Sequence, residues 1–272
     1  MWIDAHLHLD AAAFDADRDD VVARAAGAGV GLMVSAATTV PSAERVLALA
    51  RRYPAVRAAV GIHPEHAGEA DTAALHALER LAGDAAVVAI GEIGLDYVHG
   101  AGTKAAQAAA FRAQVRLAGR LDLPVVVHDR EAHDDVERIL LEEGATRVVL
   151  HCFSGTPDMA ARCAAAGWMI SLAGPVTFRN AGVLRDVARR VPEERLLVET
   201  DAPYLSPVPM RGRRCEPAFV AYTARAVAGL RGASPAALEA AVERNARRTF
   251  GVSTSGERSP SRSAERWPKK ER

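Results

Sequence analysis

The feature that most constrains this fold is a regular alternation of short apolar segments with segments of helical spacing. Helical periodicity occurs, for instance, at Ser42–Arg52, Thr72–Leu81, Gln107–Leu121 and Asp134–Glu143. Between such segments lie eight apolar runs of the length of buried parallel strands, at Ile3–Leu9, Val30–Ala36, Val56–Ile62, Val87–Ile93, Pro124–His128, Arg147–Cys152, Trp168–Leu172 and Arg195–Asp201. The pattern predicts an α/β protein, either a (β/α)8 barrel or a doubly wound open sheet.

The positions of the ionisable residues favour the barrel. In barrel enzymes the carboxyl ends of all strands meet at one face, which carries the active site. Imidazole and carboxylate side chains end or follow most of the apolar runs, namely His6, His8, His63, Glu92, His128, His151 and Asp201. A chain of 272 residues also suits one such barrel. We therefore predict a single-domain TIM barrel over residues 1–252.

Two helical segments and a polar tail follow the eighth apolar run. Pro217–Leu230 and Pro235–Phe250 have helical spacing and are expected to close the barrel and cover its flank. Residues 253–272 carry mixed charge and almost no apolar side chains, so they cannot bury enough surface to become ordered. We predict a disordered tail in this segment. Its slightly basic balance could help to hold nucleic acid, although such runs are usually only solvated.

Composition limits the functional classes. The longest apolar runs, such as Val30–Ala37, are much shorter than a membrane span, and the first residues do not resemble a secretory signal peptide. Cys152, Cys163 and Cys215 form no CxxC pair and are expected to be reduced thiols, so we expect a cytoplasmic protein. Lys+Arg and Asp+Glu number 34 each, so net charge gives no argument for nucleic-acid binding.

The first apolar run predicts the start of a metal site. His6 and His8 are two residues apart, so their side chains point to the same side of a strand, and Asp4 points there one layer deeper. Neutral imidazoles suit zinc, iron, nickel or copper, and added carboxylates admit manganese or magnesium. Two incidental histidines in a buried strand remain an alternative for this short pattern alone. Asp4 is expected to orient a ligand from behind.

Carboxylates at two other strand ends strengthen the metal hypothesis. Glu92 ends an apolar run between glycines and could bridge two cations. Glu199 and Asp201 share one face of the last run, and two like charges in a barrel mouth would be costly without a cation. We expect Asp201 to bind metal and accept a proton from the attacking water, while Glu199 supports a ligand. Some barrel hydrolases use a modified lysine at a strand end to bridge two cations. Lysine occurs here only at positions 104, 269 and 270, none of which ends a strand, so we expect Glu92 to serve as the bridging ligand.

Substrate contacts are predicted from the loops. Arg211, Arg213 and Arg214 follow the eighth run, and arginines match phosphate oxygens in bidentate geometry, although a solvated loop is an equal alternative. His63 and Tyr204 are also expected at the mouth. The histidines at positions 66, 76, 99 and 133 have no comparable placement and are interpreted as surface residues.

Six segments together resemble the TatD family of metal-dependent deoxyribonucleases, which belongs to the amidohydrolase-like barrel group. The similarity extends roughly from Ile3 to Phe250, and GEIGLDY and ETDAPYL are the more specific motifs. The segments are DAHLHLD at Asp4–Asp10, GIHPE at Gly61–Glu65, GEIGLDY at Gly91–Tyr97, PVVVHDR at Pro124–Arg130, LHCFSG at Leu150–Gly155 and ETDAPYLSPVP at Glu199–Pro209.

The resemblance implies a ligand set and a function. One divalent cation would be held by His6, His8, Glu92 and Asp201, and a second by Glu92, His128 and His151. Magnesium is the metal usually associated with the nuclease activity, while this histidine-rich set would also accept zinc or manganese. A deoxyribonuclease of the 3′–5′ exonuclease type is therefore expected, acting on single-stranded DNA or on 3′ ends. Cys215 stands where the family more often has Asn, so an amide that hydrogen-bonds the loop is lost and we expect a different loop geometry or substrate preference.

Two other functions stay open from the sequence. The same metals and water could hydrolyse an ester or amide, for example in a D-aminoacyl-tRNA, in which case tRNA would be the substrate. A non-catalytic barrel that acts as a scaffold would be expected to have lost ligands, and this chain has lost none.

Overall fold

Eight parallel strands form one sheet in which each strand pairs with the next along the chain, from β1 to β8. The computed structural model describes residues 1–99, residues 103–252 and Trp267. The strands are β1 Trp2–Leu7, β2 Val30–Ala36, β3 Val56–Val60, β4 Val87–Asp96, β5 Val125–Arg130, β6 Val148–Leu150, β7 Met169–Leu172 and β8 Leu196–Val198.

Helices follow the strands and cover the outside of the sheet. Several begin at a side-chain cap: Thr39, Asp71, Thr103, Thr156 and Ser234 each accept a hydrogen bond from a backbone N–H three residues on. The helices in the described residues are α1 Arg18–Gly27, α2 Val40–Arg52, α3 Thr72–Leu81, α4 Lys104–Leu121, α5 His133–Glu142, α6 Pro157–Ala165, α7 Gly182–Arg190, α8 Val220–Arg231 and α9 Pro235–Phe250.

The first and last strands meet just beyond the end of β8, which brings the sheet close to a complete barrel. The Asp201 N–H donates to the carbonyl oxygen of His6 over 3.0 Å, and the His8 N–H donates to Ala202 over 2.7 Å. The predicted (β/α)8 barrel is therefore confirmed, with α8 and α9 as the two helices after the last strand. These two bonds also join the backbone at His6 and His8 to the backbone at Asp201 and Ala202, at the barrel mouth.

Strand β4 is longer than its apolar pattern indicates. The sequence predicts an end at Ile93, whereas the strand continues to Asp96, with an irregular register opposite β5 between Ile90 and Ile93. Such an irregularity changes the direction of the side chains within it, and Glu92 lies there. Gly94 permits the pairing, because a Cβ at this position would lie 2.0 Å from the carbonyl oxygen of His128.

The predicted disordered tail lies outside the described residues except for Trp267. Its ring packs against Gly119 of α4, where an added Cβ would lie 3.0 Å from the nearest ring atom. Its indole N–H donates to the carbonyl oxygen of Leu123 over 3.1 Å. Leu123 precedes β5, so this contact lies at the amino-terminal end of the barrel, opposite the mouth.

Within the described part of the chain, none of the helices combines the length and the apolar content needed to cross a bilayer.

Candidate metal centre

The six predicted ligands converge at the carboxyl ends of the strands, with Glu92 in the middle. Oε1 of Glu92 lies 2.8 Å from Nδ1 of His128 and 2.8 Å from Nε2 of His151. Its other oxygen, Oε2, lies 3.3 Å from Nε2 of both His6 and His8. The two carboxylate oxygens therefore face two different groups of imidazoles, as a bridging ligand would.

Asp201 completes the group around His6 and His8. Its Oδ1 lies 3.7 Å from Nε2 of His6 and 3.5 Å from Nε2 of His8. Asp201 has a φ of 58°, a left-handed backbone conformation that Asp tolerates better than most residues and that turns the chain immediately after β8. Within the described residues, three sets have donor atoms close enough to share a cation: His6, His8 and Asp201; His6, Glu92 and His151; and His63, Glu92 and His128.

Hydrogen bonds on the far side of three rings orient them as ligands. Nδ1 of His8 lies 3.1 Å from the carbonyl oxygen of Ala36, and Nδ1 of His151 lies 3.3 Å from Oε1 of Glu199. These acceptors fix a proton on the far nitrogen and leave the lone pair of the near nitrogen directed at the site. His128 is held in the same way by Asp96, whose Oδ2 lies 3.2 Å from its Nε2.

His63 has the opposite arrangement. Its Nδ1 accepts the backbone N–H of Glu65 over 3.2 Å, so a neutral ring carries its proton on Nε2. That atom lies 3.5 Å from Oε1 of Glu92 and would donate to it. The ring therefore fits a hydrogen-bond donor at the edge of the site better than a cation ligand, even though its donor atom is near enough to the others.

Opposite charges control the protonation of the cluster. Burial alone would raise the pKa of Glu92, but the neighbouring His151, His63 and His6 outweigh burial and hold it well below its usual range. Burial lowers the pKa of His8, yet the Asp201 and Glu92 carboxylates raise it to about 9. The pKa values of His128 and His151 are raised as well, whereas burial lowers the pKa of His6. In the metal-free protein, therefore, Glu92 is ionised and some of the imidazoles around it carry protons.

Two buried polar atoms of the cluster have no hydrogen bond. Oε2 of Glu92 and Nδ1 of His6 have no hydrogen-bond partner among the described residues. A buried carboxylate oxygen without a hydrogen bond is costly, and here it faces two imidazole nitrogens at 3.3 Å. Nitrogen and carboxylate donors in this arrangement suit a divalent cation, so the residues fit the predicted metal.

The two carboxylates predicted to support ligands act on different partners. Glu199 is fully buried, accepts the backbone N–H of Cys152 over 2.6 Å and a hydrogen bond from Ser171, and holds His151. Asp4 instead accepts the N–H and the hydroxyl of Thr200, over 2.9 and 2.5 Å. Burial raises the pKa of Asp4 well above its usual value. Asp4 therefore supports the Asp201 backbone rather than a ligand ring.

Asp96 is a site residue that the sequence analysis left out. Besides contacting His128, its Oδ1 accepts the backbone N–H groups of Val98 and His99, which turns the chain after β4. Burial opposes its ionisation, but the hydrogen bonds from His128 and from the His99 and Val98 backbones together outweigh burial and lower the pKa of Asp96. Asp96 lies three residues after the predicted strand end at Ile93, and this position could have indicated a site residue. Because β4 continues to Asp96, the side chain reaches the same mouth as the ligands.

A cavity of about 740 Å³ opens above the cluster. The predicted substrate residues His63 and Tyr204 line it, together with the ligands His8, Glu92, His128, His151 and Asp201. Arg130, at the end of β5, also lines it and was not singled out from the sequence. Across residues 1–99 and 103–252, Arg130 is the only arginine in the lining, and lysine does not occur there.

None of the three predicted loop arginines lines the cavity. Arg214 pairs with Asp17 and Glu216, at 2.7 and 3.0 Å, and its guanidinium lies 4.8 Å from the centre of the Phe14 ring. Arg211 lies over the ring of Phe178 at 3.8 Å, and Arg213 is exposed to solvent. Their loop consists of residues 204–216.

Hydrogen bonds to main-chain carbonyl groups hold the 204–216 loop on both sides of Arg214. The Cys215 N–H donates to Pro203 over 3.0 Å, and the Ser206 hydroxyl donates to the Arg213 carbonyl over 2.7 Å. The Cys215 side chain is fully buried, with Sγ 3.9 Å from the Thr200 carbonyl. An amide at position 215 is therefore not required for the loop to connect with the end of β8.

Relatives of known family match almost the whole chain. The family described as TatD related DNase matches residues 3–251. A metal-dependent hydrolase named TatD from Mycobacterium tuberculosis is 43% identical over 92% of this chain and 98% of its own length. A protein from Cronobacter sakazakii, named 3′-5′ ssDNA/RNA exonuclease TatD, is 40% identical over 91% of this chain and 97% of its own length.

The architecture agrees with that of a solved relative. The crystal structure of a TatD homologue from Escherichia coli K12 superposes with a TM-score of 0.86, at 34% sequence identity, over 93% of this chain and 98% of the other. The family match begins within β1 and ends just after α9, so it spans the position of every predicted ligand. The chain therefore belongs to the TatD-related DNase family and is a metal-dependent hydrolase.

Proposed function

We propose that this hydrolase removes nucleotides from the 3′ ends of single-stranded DNA or RNA. The observation that carries the proposal is the position of Glu92, whose two oxygens face two groups of imidazoles at the base of one cavity. Two cations bridged by a carboxylate are the typical arrangement for hydrolysis of phosphodiesters. Two relatives that are 40% identical to this chain are named 3′-5′ ssDNA/RNA exonucleases, which supports the same substrate class.

The ligand set supports one or two divalent cations. His6, His8, Glu92 and Asp201 would hold one, and Glu92, His128 and His151 the other. When bound, such a cation lowers the pKa of water and polarises a phosphoryl oxygen. We propose magnesium, zinc or manganese, since the mixture of imidazole and carboxylate donors accepts all three.

Asp201 is the residue that we propose as proton acceptor. Burial opposes its ionisation, but His8, His151 and His6 lower its pKa below the ordinary value, so the carboxylate is available as a base. It lines the cavity next to the ligands. Glu92 would hold its place between the two groups of imidazoles through the reaction, because it is enclosed on both sides.

The phosphate of the substrate needs a cationic partner at the mouth. Arg130 lines the cavity two residues beyond His128, and we propose it as that partner in place of the loop arginines 211, 213 and 214. His63 and Tyr204 would contact the leaving group or the sugar, since both line the same cavity. The cytoplasm is the compartment that we propose, as the three cysteines are free thiols.

The test is a comparison of substrates with the full chain. Single-stranded DNA and RNA labelled at the 5′ end, a blunt duplex and a D-aminoacyl-tRNA are incubated with Mg²⁺, Mn²⁺ or Zn²⁺ and, separately, with a chelator. We expect a ladder of products shortened from the 3′ end of the single strands that disappears with the chelator. Asp201→Asn should lower kcat about 10²- to 10⁴-fold.

Three results would contradict the proposal. Release of the D-amino acid without any shortening of DNA or RNA would establish the ester-hydrolase alternative. Full nuclease activity in Asp201→Asn would remove Asp201 from the reaction. If the protein bound no metal at saturating concentrations of all three ions, the result would support the alternative of a non-catalytic scaffold.

A further inference from the structure

Part of the lining of the cavity above the metal ligands carries no ligand and no charged group. This part, here called the apolar wall, comes from the chain between the end of β6 and the loop after β8 and consists of Phe153, Leu172, Pro175, Val176, Leu184 and Leu205. Most of the imidazoles and carboxylates in the lining, and Arg130, lie on or just after β1, β3, β4 and β5. A ligand that fills the whole space must therefore have a charged part and an apolar part joined at short range.

The apolar wall is assembled before any ligand arrives. Gly174, between Leu172 and Pro175, packs so closely on the loop after β8 that an added Cβ would lie 2.0 Å from the carbonyl oxygen of Leu205. The Thr177 hydroxyl accepts the Val208 N–H over 2.9 Å and donates to the Gly174 carbonyl over 2.7 Å. These contacts join the segment after β7 to the loop after β8, so the two faces of the wall keep their relative position.

The wall continues into apolar side chains that are exposed at the mouth. Tyr204 and Leu205, which both line the cavity, are 58% and 38% exposed. Adjacent exposed apolar side chains at a cavity mouth indicate a surface that a ligand covers. The Tyr204 ring lies 6.1 Å from the ring of His8, so an aromatic surface stands next to the metal ligands.

We propose that the apolar wall binds the base of the terminal nucleotide while its phosphate is held at the cluster. The inference rests on the proposed nuclease function and adds to it the group that the enzyme recognises. A nucleobase is flat, largely apolar on its faces and one sugar away from the phosphate, which matches a cavity lined partly by the apolar wall and partly by charged groups. Contact through base faces does not depend on base identity, so all four bases should be accepted.

Leu184 is the residue that tests the wall. It is half-buried on α7, lines the cavity and belongs to none of the groups that could hold a cation. Its neighbour Val183 is exposed on the same helix, outside the cavity lining, and is the matched control. The variants are Leu184→Ser, Leu184→Met and Val183→Ser.

The experiment compares two oligonucleotides that differ only at the 3′ end. One ends in a normal nucleotide and the other in a tetrahydrofuran abasic residue with the same phosphates. With the wild-type enzyme we expect kcat/KM to be about tenfold higher for the normal end, mainly through KM, because stacking of one base contributes about that much. The ratio should fall towards one in Leu184→Ser and stay near the wild-type value in Leu184→Met and Val183→Ser.

Binding measured in a chelator separates this inference from the proposed function. Fluorescence anisotropy of both oligonucleotides with the metal-free protein should show the same preference for the normal end, since the wall contains no metal ligand. If neither oligonucleotide is cleaved but the binding preference follows Leu184, the nuclease proposal fails and the wall stands. Equal cleavage and equal binding of both ends by the wild-type protein, or equal shifts in Leu184→Ser and Val183→Ser, would overturn the inference.

Discussion

Nδ1 of His151 lies 3.3 Å from Oε1 of Glu199, a carboxylate with no exposed surface. The ring thus has a fixed acceptor behind it and Glu92 in front of it, at 2.8 Å from Nε2. A ligand held from both sides loses little conformational freedom when a cation binds, so Glu199 should influence metal affinity without touching the metal.

Glu199→Gln should weaken metal binding about 10- to 100-fold, because the amide removes the negative charge that holds the His151 proton. Calorimetric titration with Zn²⁺ or Mn²⁺ measures the change. Glu193→Gln is the matched control, since Glu193 pairs with Arg244 on the surface, away from the cavity. Circular dichroism spectra should be the same for both variants. An unchanged dissociation constant in Glu199→Gln would show that the contact does not support the ligand.

Metal binding should become tighter as the pH rises towards about 9. His8 has its pKa raised to about 9 in the metal-free protein, so below that pH a cation must displace its proton. Each proton released makes the dissociation constant fall by about tenfold per pH unit, and the dependence ends above the pKa. Calorimetric titrations of the protein with metal, in buffers of different ionisation enthalpy, measure the number of protons released on binding. A dissociation constant that does not vary between pH 6 and 9 would contradict protonated imidazoles around Glu92.

Arg130→Gln should affect substrate binding, whereas Arg214→Gln should affect stability. Removal of the cavity arginine should raise KM for single-stranded DNA roughly tenfold or more, since charged hydrogen bonds contribute most to phosphate binding. Arg214→Gln should leave KM unchanged and lower the free energy of unfolding by roughly 1 kcal/mol, because Arg214 pairs with Asp17 and Glu216. Steady-state kinetics and urea unfolding measure the two effects. A raised KM in Arg214→Gln with an unchanged KM in Arg130→Gln would show that the phosphate binds at the loop after β8 and not at Arg130.

Trp267→Ala should lower the free energy of unfolding by roughly 1–2 kcal/mol, through lost burial and the lost hydrogen bond to Leu123. Trp267→Phe keeps the ring but not the N–H, and should lose less. Thermal and urea unfolding of the full chain provide the measurement. If Trp267→Ala unfolds like the wild-type protein, the contact with Gly119 does not contribute to stability.

Some aspects of this protein are determined by local sequence pattern. Strand and helix periods place side chains on defined faces, so His6, His8, Glu92, His128, His151 and Asp201 could be assigned to strand ends, and parallel strands bring those ends to one face. Their convergence around Glu92 agrees with that prediction. The barrel class followed from the same alternation.

The tertiary structure decided what depends on residues distant in the chain. Whether an arginine faces the cavity or a carboxylate is set by its neighbours in space, which separates Arg130 from Arg214, whose partner Asp17 lies at the other end of the chain. The nitrogen that each imidazole presents to a cation depends likewise on the acceptor behind it, such as Glu199 for His151. Sequence periodicity specifies the direction of a side chain, but a contact depends on the positions of both partners. Only the folded barrel brings partners that are distant in the chain to each other.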